Sequence, residues 1–380
     1  MRKSFVLAIS LIVMGLSLAA CASPTAAPPQ IVPQTVVVPQ TVVSSQTVVV
    51  PQTVVAPQTV VVPQTVVVPA TAVPPTAAPA AKQLVIYMQM GGTQGDASTL
   101  ARTNGAKAAA AAYGVKLVEQ YSGWDPQKMI DQFKQAMAAN PDGIEIMGHP
   151  GEAAFASLVD QAESQGIIVT SGNNPLPNIE AKYQTKGFGY AGANLHDGGF
   201  LTGQAMVTAG LKKGDKALIY DIWHQEGRSQ SPQGIYDALT AAGVVVDKLD
   251  VSNEVDTDSS LAIPILTAYI AAHPDLKAIG TQHGNITAIL PKVLQAAGKK
   301  PGDIICGGID LSPATVDAIK AGWISASFDQ VLYLQGFDPV QQIVFTKKYL
   351  IPGLHINTGV GTVTPQNVAL IAPLIQQGIR

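Results

Sequence analysis

Polar side chains follow most of the short apolar segments that this sequence predicts as strands. They carry amide, carboxylate, imidazole or guanidinium groups, with an aromatic ring among them. These candidate binding residues are Asp96, His149, Asn173, Trp223, Arg228, His283, Asp310 and Gln330. In open α/β sheets a ligand binds beyond the carboxyl ends of the strands, so these groups should converge on one site. They suit a neutral, polyhydroxylated ligand, because no lysine follows a strand and Arg228 is the only arginine nearby.

Motifs for catalysis are missing from the same loops. The loop 91–95 has neither the dinucleotide fingerprint nor a phosphate-binding lysine, and no serine lies in a GxSxG elbow. The six histidines form no HExxH pair and show no metal-ligand spacing. Asp310 and His283 could form an acid–base pair, but both groups serve equally well as hydrogen-bond partners of a ligand. We therefore expect binding without catalysis, and neither a metal nor a cofactor.

A cysteine near the N-terminus is a candidate for lipidation. Arg2 and Lys3 precede an apolar run that ends directly before Cys21, as in an export signal. The stretch LAAC at 18–21 resembles a bacterial lipobox, which implies a lipidated Cys21 and a membrane anchor. The alternative is an uncleaved transmembrane anchor, although roughly 16 apolar residues are short for a span. In either case the rest of the chain should work outside the cytoplasm, at the outer face of the cell membrane.

Residues 22–82 have the composition of a tether. No charged residue occurs from Ala22 to Ala81, and the triplet PQT recurs with a six-residue period. Regular proline removes backbone donors and favours an extended spacer over a packed sheet. A small β-solenoid is the alternative, because hexapeptide periods can build one and valine favours strands.

The remaining 299 residues, Lys82 to Arg380, are enough for two domains. The net charge of −3 and the absence of a run of lysine or arginine exclude nucleic acid as an expected partner. If Cys21 is lipidated, Cys306 is left without a partner for a disulfide. Its apolar neighbours predict a buried structural thiol.

Short apolar runs alternate with longer amphipathic ones through this part of the chain. The predicted strands cover 84–89, 115–120, 143–147, 167–170, 217–220, 244–251, 277–281, 303–307 and 324–328. The predicted helices cover 98–112, 127–139, 152–165, 201–210, 231–242, 261–273, 286–297 and 313–321. Such alternation predicts an α/β fold with parallel sheets covered by helices. The number of units favours two doubly wound lobes, with a closed eightfold barrel as the alternative.

Several segments resemble the type I periplasmic sugar-binding proteins, the ribose-binding-like family. The similarity extends from about Leu84 to the C-terminus. The segments are ANLHDGGFLTGQAM at 193–206, GTQHGNITAILPKVLQAAG at 280–298, GGIDLSPATVDAIKAG at 307–322, SFDQVLYLQGF at 327–337 and HINTGVGTVTPQNV at 355–368. The resemblance implies two lobes joined by three crossovers, with the first lobe at 83–192 and 330–358 and the second at 193–329 and 359–380. It also implies Asp96 or its neighbours, Asn173, His283, Asp310 and Gln330 as ligand contacts.

The sequence departs from the family pattern at two places. Ser231 stands where ribose-like members carry an arginine, so that contact is missing or comes from Arg228. The aromatic pair usual after the first strand is replaced by Ser98 and Thr99. Stacking on a sugar is then expected from Trp223 first and Trp124 second.

The resemblance implies a monomeric lipoprotein that captures a small neutral sugar or polyol and delivers it to the permease of an ABC transporter. The same fold also serves receptors that present a sugar or a furanose signal to a chemotaxis or sensor-kinase partner. The sequence leaves both alternatives open.

Overall fold

The strands of this chain form two separate six-stranded sheets in the computed structural model, which describes residues 82–96, 98–225 and 227–380. The first sheet has the order β11-β5-β4-β3-β1-β2, and all its pairs are parallel. Its strands are β1 (Val85–Gly91), β2 (Lys116–Tyr121), β3 (Gly143–Met147), β4 (Ile168–Gly172), β5 (Gly189–Gly192) and β11 (His355–Asn357). We call this sheet with its helices the first lobe.

The second sheet has the order β12-β10-β9-β8-β6-β7 and is parallel except for β12, which runs antiparallel to β10. Its strands are β6 (Lys216–Asp221), β7 (Val245–Asp250), β8 (Leu276–Thr281), β9 (Ile305–Ile309), β10 (Ala326–Asp329) and β12 (Gly361–Val363). This sheet with its helices is the second lobe.

Helices fill the connections between the strands. Those of the first lobe are α1 (Leu100–Tyr113), α2 (Pro126–Ala138), α3 (Glu152–Ser164), α4 (Pro177–Tyr183) and α11 (Leu332–Tyr349). Those of the second lobe are α5 (Leu195–Thr208), α6 (Gln230–Ala241), α7 (Asn253–Thr257), α8 (Ser259–Ala272), α9 (Gly284–Ala296), α10 (Pro313–Lys320) and α12 (Val368–Gln376). None of the helices in the described ranges is long and apolar enough to cross a membrane.

The unit β2-α2-β3 shows how local sequence selects these elements. The Asp125 carboxylate accepts a 3.0 Å hydrogen bond from the Lys128 backbone N–H, and Pro126 occupies the first turn of α2. Met129 and Phe133 recur at helical spacing and are buried against the sheet. All five residues of β3 are buried, as a central parallel strand covered by helices requires.

The core of the second lobe contains Cys306, which packs among apolar side chains such as Leu218, Ile279 and Leu290. Burial raises the pKa of the Cys306 thiol to about 12, so the thiol is protonated at neutral pH. This is the buried structural thiol that the sequence predicts.

The chain crosses between the lobes three times. The crossings lie between β5 and α5, between β10 and α11, and between β11 and β12. The prediction of two doubly wound lobes with three crossovers is therefore confirmed, and the alternative of a single closed barrel is wrong, because the described strands form two open sheets.

The predicted strands and helices match observed ones to within a few residues, except that α5 begins six residues before the predicted start at 201. The pattern missed α4, α7, α11 and α12 and the short strands β5, β11 and β12. The lipidation of Cys21 and the extended tether at 22–82 fall almost entirely outside the described residues and stay predictions.

Candidate functional site

A cavity lies between the two lobes, at the carboxyl ends of their parallel strands. It contains about 380 Å³ of space free of protein atoms, part of which is open to solvent. Its lining residues are Trp124, His149, Asn173, Leu195, Arg228, Ser231, Gln282, His283, Ile309, Asp310 and Gln330. Away from the crossings, three side-chain hydrogen bonds among the described residues join the lobes: Gln230 to Asn174, Thr257 to the Gly123 carbonyl and Asn104 to the Gly378 carbonyl, all at 3.3 Å. The lobes are therefore closed against each other.

Trp124 is the tryptophan that lines the cavity. It follows β2 in the left-handed conformation, with φ at 60°. The indole fits because Gly91 has no side chain: a Cβ there would lie 2.5 Å from the ring. The rings of His149 and His283 meet the indole edge-on, at centroid distances of 5.2 and 5.5 Å.

Trp223, the first choice for stacking, does not line the cavity. Its ring lies beneath Lys248, whose ammonium nitrogen is 3.7 Å from the ring centroid. A cation over the face of an indole is a favourable contact by itself, and Lys248 occupies one face of this ring. Trp124, the second choice, is the tryptophan that lines the cavity, and which of the two stacks on a ligand stays a prediction.

The wall from the second lobe is organised by Asp256, a fully buried carboxylate on α7. It accepts hydrogen bonds from Arg228 Nη2 at 2.8 Å and Gln282 Nε2 at 2.7 Å, and its Oδ2 lies 2.9 Å from His283 Nδ1. Burial alone would raise the pKa of Asp256, but the charges and hydrogen bonds of His283 and Arg228 lower it to about 2. Asp256 is therefore ionised and balances the charge of Arg228.

A chain of amides connects the two lobes at the crossings. Gln330 Nε2 donates to Asp310 Oδ1 at 2.7 Å, and Gln330 Oε1 accepts from Asn173 Nδ2 at 3.1 Å. Gln335 on α11 accepts from Asn173 at 3.2 Å and donates to Thr358 Oγ1 at 3.2 Å. Strand ends from both sheets and two of the three crossings thus share one buried hydrogen-bond network.

A second arginine, Arg102, lies beside this network. Arg102 on α1 is 1% exposed and donates to the Met90 carbonyl at 2.9 Å and to Gln335 Oε1 at 2.8 Å. Its guanidinium carbon is 5.9 Å from the centroid of the Trp124 ring. The expectation that Arg228 is the only arginine nearby was therefore wrong. Arg102 went unnoticed because it sits inside a predicted helix rather than after a strand.

Carboxylates lie near both arginines. Arg228 forms a salt bridge with Asp256, and Asp310 and Asp96 attract the guanidinium of Arg102. Burial raises the pKa of Asp310 to about 6 despite the opposing hydrogen bond from Gln330. Burial, reinforced by the charges of Arg228 and Arg102, lowers the pKa of His149 well below its ordinary value, so His149 is neutral at pH 7. The arrangement favours an uncharged ligand over an anionic one.

Several buried polar atoms of the lining residues have no hydrogen-bond partner among the described residues. They are Trp124 Nε1, His149 Nδ1, Arg228 Nη1, Ser231 Oγ and His283 Nε2. A buried polar atom left unpaired costs about 1–3 kcal/mol, so such atoms in one cavity indicate a site that a polar ligand completes. The set contains both donors and atoms able to accept, which matches the hydroxyl group, a donor and acceptor at once.

Of the eight predicted site residues, six line the cavity: His149, Asn173, Arg228, His283, Asp310 and Gln330. Asp96 does not. Its carboxylate accepts backbone hydrogen bonds from Thr93, Ser98 and Thr99 at 2.7–2.9 Å, so it holds the turn before α1. Direct ligand contact by the six remains a prediction. Within the described part of the chain, no group of three or more His, Cys, Asp or Glu residues is placed to hold a metal ion.

The chain matches a family model described as "Periplasmic binding protein domain" over residues 93–345. The xylose/arabinose-binding protein XylF of Sulfolobus acidocaldarius is 26% identical over 258 residues, which is 64% of this chain and 62% of that relative. The chain thus covers less than two thirds of the relative's length.

Solved structures show the same fold. A carbohydrate transporter from Acidothermus cellulolyticus in complex with myo-inositol has a TM-score of 0.67 at 21% identity, covering 79% of this chain and 100% of that one. An ABC transporter solute-binding protein from Burkholderia graminis in complex with D-arabinose has a TM-score of 0.66 at 22% identity, covering 76% and 98%. With two parallel-sheet lobes, three crossings and a polar cavity between them, this chain belongs to the periplasmic binding protein family, a family of binding proteins and not of enzymes.

Proposed function

We propose that this protein binds a small neutral sugar or polyol in the cavity between its lobes, outside the cytoplasm. The observation that carries the proposal is the set of unpartnered polar atoms on five lining residues, in a cavity whose one lining arginine among the described residues, Arg228, already forms a salt bridge with Asp256. A ligand with several hydroxyl groups and no charge fits this set best.

The names of the similar proteins support the same ligand class. The relative from Sulfolobus acidocaldarius is named for xylose and arabinose, and two of the similar structures contain myo-inositol and D-arabinose. All of these are compact, neutral and rich in hydroxyl groups.

We further propose that the bound ligand is delivered to an ABC transporter permease by a monomer that opens and closes about the three crossings. The sheet memberships support lobes divided as 83–192 with 330–358 and 193–329 with 359–380. A lipid on Cys21 and the repeat at 22–82 would hold the protein at the membrane and give it reach.

A thermal-shift screen of pentoses, hexoses, inositols and small polyols tests the proposal. A ligand at about 100 times its Kd should stabilise the folded state by roughly 2.7 kcal/mol, which is readily seen as a rise in Tm. Acidic sugars and sugar phosphates serve as the charged comparison group. Stabilisation by charged compounds alone would refute a neutral ligand.

A further inference from the structure

Asp256 contacts three cavity residues without lining the cavity itself. Its side chain is fully buried and connects to Arg228, Gln282 and His283 at 2.7–2.9 Å. These three residues come from two separate loops of the second lobe, after β6 and after β8. One carboxylate on a short helix thus holds the polar wall of this lobe.

The chemistry of this contact determines which atom of His283 carries a proton. An ionised carboxylate only accepts hydrogen bonds. With Asp256 Oδ2 at 2.9 Å from Nδ1, the proton of a neutral His283 must therefore be on Nδ1. Its other nitrogen, Nε2, is buried without a hydrogen-bond partner in the described part of the chain and carries a lone pair. A neutral His283 is thus an acceptor on its cavity side.

Arg228 provides the complementary atom. Nη2 is bound to Asp256, while Nη1 is buried with no partner among the described residues and can only donate. Both atoms belong to residues that line the same cavity. Asp256 therefore orients one acceptor and one donor toward the ligand.

We propose that Asp256 is a positioning residue that determines specificity: it holds His283 in the Nδ1–H tautomer and aims Arg228 Nη1, so that the second lobe recognises ligand hydroxyl groups as donor and as acceptor. This inference rests on the proposed binding of a neutral sugar or polyol. It adds a residue that never touches the ligand, on an element that the sequence pattern did not predict.

Asp256→Asn tests the proposal with little change in shape. The amide replaces one acceptor with a donor, so it must lose the contact to Arg228, Gln282 or His283 and can also stabilise the other tautomer of His283. We expect affinity for the best neutral ligand to fall at least tenfold. The matched control is Asp250→Asn, because Asp250 makes the same carboxylate–imidazole contact to His224 at 3.0 Å, with both residues exposed and neither lining the cavity. The control should bind within about twofold of the wild type.

A spectroscopic measurement on the wild-type protein does not depend on the folding of a variant. Two-bond ¹⁵N–¹H spectra of the imidazole rings, recorded at a pH where the His283 ring is neutral and with His283 assigned by the loss of its signals in His283→Gln, should show Nδ1 protonated and Nε2 without a proton. A neutral His283 ring that carries its proton on Nε2 would overturn the proposal. So would an Asp256→Asn protein that is folded and binds as tightly as the wild type. If no neutral sugar or polyol binds the wild type, the proposed function fails by that result alone, whereas the tautomer is measured without ligand.

Discussion

Gln330 donates a 2.7 Å hydrogen bond to Asp310, and this bond joins the second crossing between the lobes to the carboxyl end of β9. Asp310 itself has a left-handed backbone, with φ at 68°, so the extended backbone of β9 ends before it. The cap of the following helix α10 is Ser312 and not Asp310: Ser312 Oγ accepts a hydrogen bond from the Thr315 backbone N–H at 3.1 Å.

Asp310→Ala should therefore weaken ligand binding by roughly one to two orders of magnitude, because hydrogen bonds to a charged group contribute about 1.5–3 kcal/mol. Ser312→Ala is the control: it removes the cap of α10, so the free energy of unfolding should fall by about 1 kcal/mol while affinity stays unchanged. Titration calorimetry and thermal melts on both variants separate the two effects. An Asp310→Ala protein with affinity within threefold of the wild type would remove Asp310 from the site.

The placement of the two tryptophans can be checked by fluorescence. Trp124 lies in the cavity wall, whereas Trp223 lies beneath Lys248 outside the lining. A ligand should therefore change the tryptophan emission of the wild type and of Trp223→Phe, but not that of Trp124→Phe. Trp124→Phe should also bind more weakly, since it loses indole surface and the Nε1 donor. A fluorescence response that disappears in Trp223→Phe and persists in Trp124→Phe would show that Trp223, and not Trp124, is the tryptophan next to the ligand.

Much of the scaffold follows from local sequence, because alternating apolar and amphipathic runs reveal parallel strands and their helices. The site follows only in part. Asp310 and His283 were found because they come directly after predicted strands. Arg102 and Asp256 were missed because neither does: Arg102 is inside α1, and Asp256 is on the five-residue α7. Their roles depend on which elements meet in space, and no local pattern contains that information.

Local sequence also does not show which of Trp124 and Trp223 lines the cavity. Both follow the end of a strand, β2 or β6. Trp124 faces the cavity because its backbone is left-handed and Gly91 leaves room for its ring. Lys248, which covers Trp223, comes from a different strand, β7. Neither circumstance could be predicted from the residues adjacent to the tryptophans.

The burial of the Glu145 carboxyl group predicts how the stability of the protein depends on pH. Glu145 is fully buried in β3, and neither carboxylate oxygen has a hydrogen-bond partner among the described residues. Burial raises its pKa from 4.5 to about 8, against the opposing charge of Arg102. Between these two pH values the native protein holds a proton that the unfolded chain has lost. This group's contribution to the free energy of unfolding therefore falls as pH rises from about 4.5 to about 8.

The Gln side chain of Glu145→Gln cannot ionise. The Tm of this variant should therefore fall less than that of the wild type as the pH rises through this window, and at pH 8 it should exceed the wild-type Tm. Glu254→Gln, on an exposed residue of α7, is the control and should follow the wild type. Melting curves at half-unit pH steps measure this. Identical pH profiles for Glu145→Gln and the wild type would show that Glu145 is ionised in the native state.

The proposed anchor can be separated from ligand binding. Cys21→Ser removes the thiol that would carry the lipid, so the protein should move from the membrane fraction to the soluble fraction or the medium. Its affinity should be unchanged, because the cavity is built by residues 124–330. Fractionation followed by titration of the released protein measures both. Retention in the membrane fraction would contradict lipidation at this cysteine.

The most direct test of the central claim is titration calorimetry of the wild-type protein with the best neutral sugar or polyol of the screen, followed by mass spectrometry of the recovered ligand. We expect one ligand per chain, a Kd in the micromolar range or tighter, and a ligand that leaves the protein chemically unchanged. If no neutral sugar or polyol binds, or if more than one equivalent of altered ligand is recovered, the protein is not the binding protein described here.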